Sequence, residues 1–82
     1  MANFTYVIKD EIGLHARPAG ELVKIAKDAS CDIMVSKGGA PVNAKKLIAL
    51  MQLGIKHGDE ITVEAEDEAV LETVKKFLEE NL

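Results

Sequence analysis

Two residues of this 82-residue chain have types and spacing suited to chemistry: His15 and Arg17, within Gly13-Leu14-His15-Ala16-Arg17-Pro18-Ala19. An imidazole is a nucleophile near neutral pH, and a guanidinium grips phosphate through two parallel hydrogen bonds. Both stand where a polar loop turns into an amphipathic helix. A helix start offers backbone N–H groups without intrahelical partners and the positive end of the macrodipole. That makes it a ready anion site. The pattern points to His15 as the carrier of a phosphoryl group, with Arg17 and the Ala16 backbone N–H as donors to the phosphate. The plainer alternative is a histidine N-cap beside a solvent-exposed arginine.

No other constellation competes. His57 is a turn residue before Gly58, with no partner chemistry nearby in sequence. Cys31 opens a strand without a neighbouring basic residue and reads as an inert thiol. Two histidines and one cysteine at scattered spacing make no metal site. Gly38-Gly39 matches neither a phosphate-binding loop nor a dinucleotide fingerprint. The carboxylates from Glu60 to Glu80 fall mostly on solvent-facing positions. The expectation is a protein without metal or cofactor.

Composition narrows the class. A hydrophobic fraction of 48% with 29% charged residues is that of one small globular domain, residues 1–82. Phe4, Tyr6 and Phe77 are the only aromatic residues, so the core must be aliphatic. A net charge of −4 argues against generic nucleic-acid binding. The single cysteine suits a reducing compartment, and neither a leader nor an apolar run of membrane-spanning length is evident. A cytoplasmic protein that does not insert into membranes is expected.

Certain elements must position the histidine. Phe4 to Ile8 reads as a strand with Phe4, Tyr6 and Ile8 on one face. Lys9 to Gly13 is a polar connection. From Ala16 to about Lys27, Ala16, Ala19, Leu22, Val23 and Ala26 recur at helical spacing, with Glu21, Lys24 and Lys27 elsewhere. Pro18 is tolerated in a first turn, yet it disfavours helical geometry at Arg17. Either His15 or Arg17 therefore marks the boundary. Asp32 to Lys37 is a second strand with Ile33 and Val35 inward. Gly38-Gly39 turns the chain into Ala40 to Asn43, a short strand placed at a sheet edge by Pro41. Asn43 is expected to cap a short helix, Lys45 to Leu53, stopped by Gly54. Glu60 to Glu66 alternates as a strand, and Asp67 caps a last helix with Val70, Leu71, Val74, Phe77 and Leu78 on one stripe. The order β-α-β-β-α-β-α predicts an α+β open-faced β-sandwich. Its four-stranded, mainly antiparallel sheet carries two long helices and one short helix on one face.

The short helix has about two turns, too few to bury all of Leu47, Ile48, Leu50, Met51 and Leu53. Apolar groups exposed beside Lys45 and Lys46 would form a partner surface, with Lys46 placed to steer an acidic partner. The alternative is that all five apolar side chains reach the core.

At these residues the chain resembles the HPr family, the histidine-containing phosphocarriers of the bacterial phosphoenolpyruvate–sugar phosphotransferase system. Gly13 to Ala19 is similar to that family's active-site motif, and the later stretch Leu47 to Gly54 running into Ile55 resembles the family as well. The likeness covers nearly the whole chain. It implies phosphorylation of His15 on Nδ1 by enzyme I, Arg17 as phosphate partner and transfer to sugar-specific IIA proteins. It also implies a stoichiometric carrier rather than a turnover enzyme, acting as a monomer. The docking surface it implies joins Gly20, Lys24 and Lys27 of the first helix to Lys46, Leu47, Ile48 and Met51. One departure stands out. Many members carry a regulatory serine at the start of the short helix, the target of an ATP-dependent kinase, and this chain has Lys46 there. The alternatives are a nitrogen-branch or regulatory phosphocarrier of the same family, and an α+β binding module that is never phosphorylated.

Overall fold

A computed structural model describes residues 2–82. The elements run β1 (Ala2–Val7), α1 (Ala16–Asp28), β2 (Ile33–Ser36), β3 (Val42–Asn43), α2 (Leu47–Gln52), β4 (Glu60–Ala65) and α3 (Glu68–Asn81). They form an open-faced α+β sandwich. The sheet order is β1-β4-β2-β3, and all three pairings are antiparallel. The last strand in sequence thus lies in the middle, with Phe4 opposite Val63 and Val63 opposite Val35.

Alternation sets which face is covered. Ile33, Val35, Ile61, Val63 and Ala65 are buried, and they meet Leu22, Val23 and Ala26 of α1 and Leu71, Val74, Phe77 and Leu78 of α3 in one core. Ile8, just beyond β1, is buried with them. The other sheet face shows Asn3, Thr5 and Val7 to solvent. Burial of α3 is fixed at two points: Asp67 Oδ1 accepts from Ala69 N–H at 2.8 Å, and the Tyr6 hydroxyl donates to Leu78 O at 3.2 Å. Burial, and then the nearby Glu79 carboxylate, raise the Tyr6 phenol above its ordinary range.

Three local expectations are corrected. Ala16, read as part of the inward stripe, is exposed in the first turn of α1. The short helix begins at Leu47 rather than Lys45. Asn43 does not cap it, because the Asn43 side chain accepts from Lys45 N–H at 2.9 Å and closes a turn ahead of the helix. Lys46 takes the N-cap position with an extended backbone and no capping side-chain bond. Gly54 does end α2, in the left-handed region at φ +63°. No helix among the described residues is long and apolar enough to cross a membrane.

Candidate functional site

The helix boundary falls at His15. Its backbone is extended (φ −107°, ψ −174°), and its carbonyl accepts the first helical bond from Ala19 N–H at 2.9 Å. Arg17 is helical despite the following proline, since Pro18 and Ala19 are buried and anchor the first turn. Pro18 has no N–H to give. The donors at the helix start are therefore the amides of Ala16 and Arg17, with His15 beside them. No side chain caps α1, and no acidic residue occupies its first turn. The positive helix end is left open, with a half-exposed imidazole at its rim.

The loop before His15 is held from two sides. Asp10 Oδ2 accepts from the N–H groups of Ile12 and Gly13, each at 3.1 Å. Leu82 O accepts from the N–H groups of Lys9 and Asp10. Gly13 then presses against the strap between α2 and β4: a Cβ there would sit 2.6 Å from Ile55 O and 2.7 Å from Lys56 Cα. Only glycine fits, at φ +81°. Leu14 N–H donates to Ile55 O at 3.1 Å.

The strap has its own ties. Lys37 Nζ donates to Gly54 O at 2.9 Å and lies 3.0 Å from Asp59 Oδ2. The Asp59 carboxylate also accepts from Lys56 N–H at 2.8 Å. The Lys56 amide bond, and secondly the Lys37 ammonium, hold the Asp59 carboxyl below its ordinary value.

Arg17 is exposed on the outer face of α1, its Nη1 3.2 Å from Glu21 Oε2. Gly20, Lys24 and Lys27 are exposed along the same helix. On α2, which packs beside α1, Leu50 is fully buried while Leu47, Ile48 and Met51 are 39%, 70% and 45% exposed. The short helix thus leaves three apolar side chains in water, next to exposed Lys46. Such a patch beside positive charge has the composition of a partner surface.

Sequence reasoning missed five residues around the candidate site. Ile12 is 69% exposed in the loop before His15, an apolar residue in an otherwise polar run. Asp10, ahead of a glycine, carried the signal of an Asx-type turn. Glu21 stands four residues after Arg17, a pairing distance on a helix. Lys37 and Asp59 are joined only by the fold and left no local signal. A surface cleft of about 450 Å³, lined in part by Ile25, Ser30 and Val70, and two smaller ones are formed by residues other than His15. His15 is half-buried at the start of α1. Among the described residues no group of histidine, cysteine and carboxylate side chains is placed to hold a metal ion.

The fold is a small open-faced α+β sandwich whose first helix starts uncapped at a histidine. The family model for the PTS HPr component phosphorylation site matches residues 2–80. The phosphocarrier protein HPr of Mycoplasma genitalium is 41% identical over 85 residues, covering 99% of this chain and 97% of that protein. The crystal structure of HPr-C-His from Thermoanaerobacter tengcongensis superposes with a TM-score of 0.89 at 35% identity, over 96% of this chain and 92% of that one. A solved histidine-containing phosphocarrier protein from Mycoplasma gives 0.86 at 34% identity, over 93% and 90%. The chain belongs to the HPr family of phosphocarrier proteins of the phosphotransferase system.

Proposed function

We propose that His15 is the phosphoryl carrier, accepting the group on Nδ1 from the phosphohistidine of enzyme I and yielding it to a histidine of a IIA protein in sugar uptake. The observation that carries this reading is the uncapped start of α1, with His15 at the N-cap and its imidazole making no cap bond. Neutral His15 attacks phosphorus in line. The new N–P bond forms as the bond to the donor histidine breaks, and the amides of Ala16 and Arg17 and the Arg17 guanidinium stabilise the equatorial oxygens. The second transfer reverses these roles from the same open side. The protein acts as a stoichiometric cytoplasmic carrier and a monomer. Partners dock on Gly20, Lys24 and Lys27 of α1 and on Lys46, Leu47, Ile48 and Met51 at α2. Lys46 offers no hydroxyl to a serine-directed kinase.

The test is incubation with enzyme I and phosphoenolpyruvate. One acid-labile, base-stable phosphate per chain is expected, and none on His15→Ala. The variant keeps its fold: His15 makes no side-chain cap bond, so the loss falls at or below about 0.5 kcal/mol, the low end for a capping residue. Phosphate on folded His15→Ala would remove His15 as the carrier. Pull-downs with sugar-branch and nitrogen-branch proteins distinguish the two sets of partners.

A further inference from the structure

Among the described residues, the charged partner of Arg17 is Glu21, one helical turn on. Nη1 and Oε2 are 3.2 Å apart, and the two side chains are 60% and 50% exposed. Helix stability does not account for this pair. An arginine in the first turn is opposed by the macrodipole, the order cation-then-acid is the weaker orientation at this spacing, and a pair so exposed contributes little. Its position does matter. Arg17 stands in the first turn of α1, two residues after His15, so the carboxylate draws on the same guanidinium that phosphoryl oxygens on His15 would use.

We propose that Glu21 is a positioning residue for the phosphoryl site. It occupies Arg17 in the unphosphorylated protein and gives it up when the phosphoryl dianion arrives. The guanidinium exchanges carboxylate oxygens for phosphoryl oxygens, and no covalent bond changes beyond the transfer itself. Phosphorylation must therefore break the Arg17–Glu21 pair, and dephosphorylation restores it. Phosphohistidine is held less tightly than Arg17 alone would hold it, which raises its tendency to pass the group on. The proposal rests on the carrier reading of His15.

The experiment measures the phosphorylated fraction at defined phosphoenolpyruvate-to-pyruvate ratios, with enzyme I in catalytic amounts, for wild type, Glu21→Gln, Arg17→Gln and the double variant. Enzyme I sets the rate of approach but not the midpoint, so altered docking leaves this readout unmoved. Glu21→Gln is expected to reach half-phosphorylation at a ratio about 1.4- to 5-fold lower, the equivalent of an exposed ion pair of about 0.2–1 kcal/mol. In the Arg17→Gln background the same change should shift the midpoint much less. An unchanged midpoint in Glu21→Gln, or a full shift that persists without Arg17, overturns the proposal. Absence of phosphate from the wild-type protein overturns the carrier reading itself, and this proposal with it.

Discussion

Replacing Gly13 by alanine tests whether the strap at residues 55–56 sets the loop that presents His15. The new methyl group would lie 2.6 Å from Ile55 O and 2.7 Å from Lys56 Cα, both backbone atoms that cannot turn aside as a side-chain tip can. Holding alanine in the left-handed region costs roughly 1–2 kcal/mol. Relieving the overlap draws Ile55 O away from Leu14 N–H, now 3.1 Å distant, and a hydrogen bond of that kind is worth about 0.5–1.5 kcal/mol net. Together the loss is about 1.5–3.5 kcal/mol. For a domain of this size it should lower Tm by about 6–28 °C. Gly58→Ala is the matched control, since Gly58 has φ +86° and open space where its Cβ would stand. Thermal or urea unfolding of both variants separates backbone strain from packing. If Gly13→Ala is no more destabilising than Gly58→Ala, the close approach to Ile55 and Lys56 does not position the loop.

Two further variants probe the rest of the frame. Lys46→Ser places a capping hydroxyl at an uncapped helix start and removes a cation from its positive end, so urea unfolding should show a gain of about 0.5–2 kcal/mol; no gain would mean that the extended Lys46 backbone cannot be capped. Asp59→Asn removes a carboxylate whose folded pKa is lowered. Its contribution is therefore fully present above the ordinary carboxylate range and lost as pH falls through the depressed folded value. The stability difference between wild type and Asp59→Asn should hold steady at neutral pH and vanish in acid, and a difference that grew on acidification would refute the assignment.

Where an element follows from local periodicity, the sequence was sufficient. The alternation of Ile61, Val63 and Ala65 defined β4, and the stripe of Leu71, Val74, Phe77 and Leu78 defined α3. The start of α1 was legible to within His15 or Arg17, because a helix start is a local event with its own residue preferences, and the structure puts it at His15. The misreadings have a common physical origin. Asn43 carries equal promise as a helix cap and as a turn former, and the choice depends on where the chain must go after β3 meets β2 at Met34 and Val35. Ala16 fits an apolar stripe by spacing, yet the first turn of α1 stands clear of the core. The Lys37–Asp59 contact is invisible locally, because the sheet alone brings β2 and the start of β4 together.

Sheet order explains why the two halves of the candidate site keep a fixed relation. With β4 inserted between β1 and β2, the strap entering it must pass both the end of β1 and the end of α2. It is tied to the first by Gly58 N–H on Ile8 O and Ile8 N–H on Asp59 O, at 2.8 and 2.9 Å. It is continuous with the second through Gly54, whose carbonyl Lys37 holds. The loop leading to His15 and the helix presenting Leu47, Ile48 and Met51 are thus referenced to one short segment, although far apart in sequence. On the proposed carrier function, a partner docked on the apolar face would find the imidazole in a fixed relation to it, so that docking would also align the groups for in-line transfer. The strap would then contribute no atom to the chemistry, while its backbone held the two parts of the candidate site together.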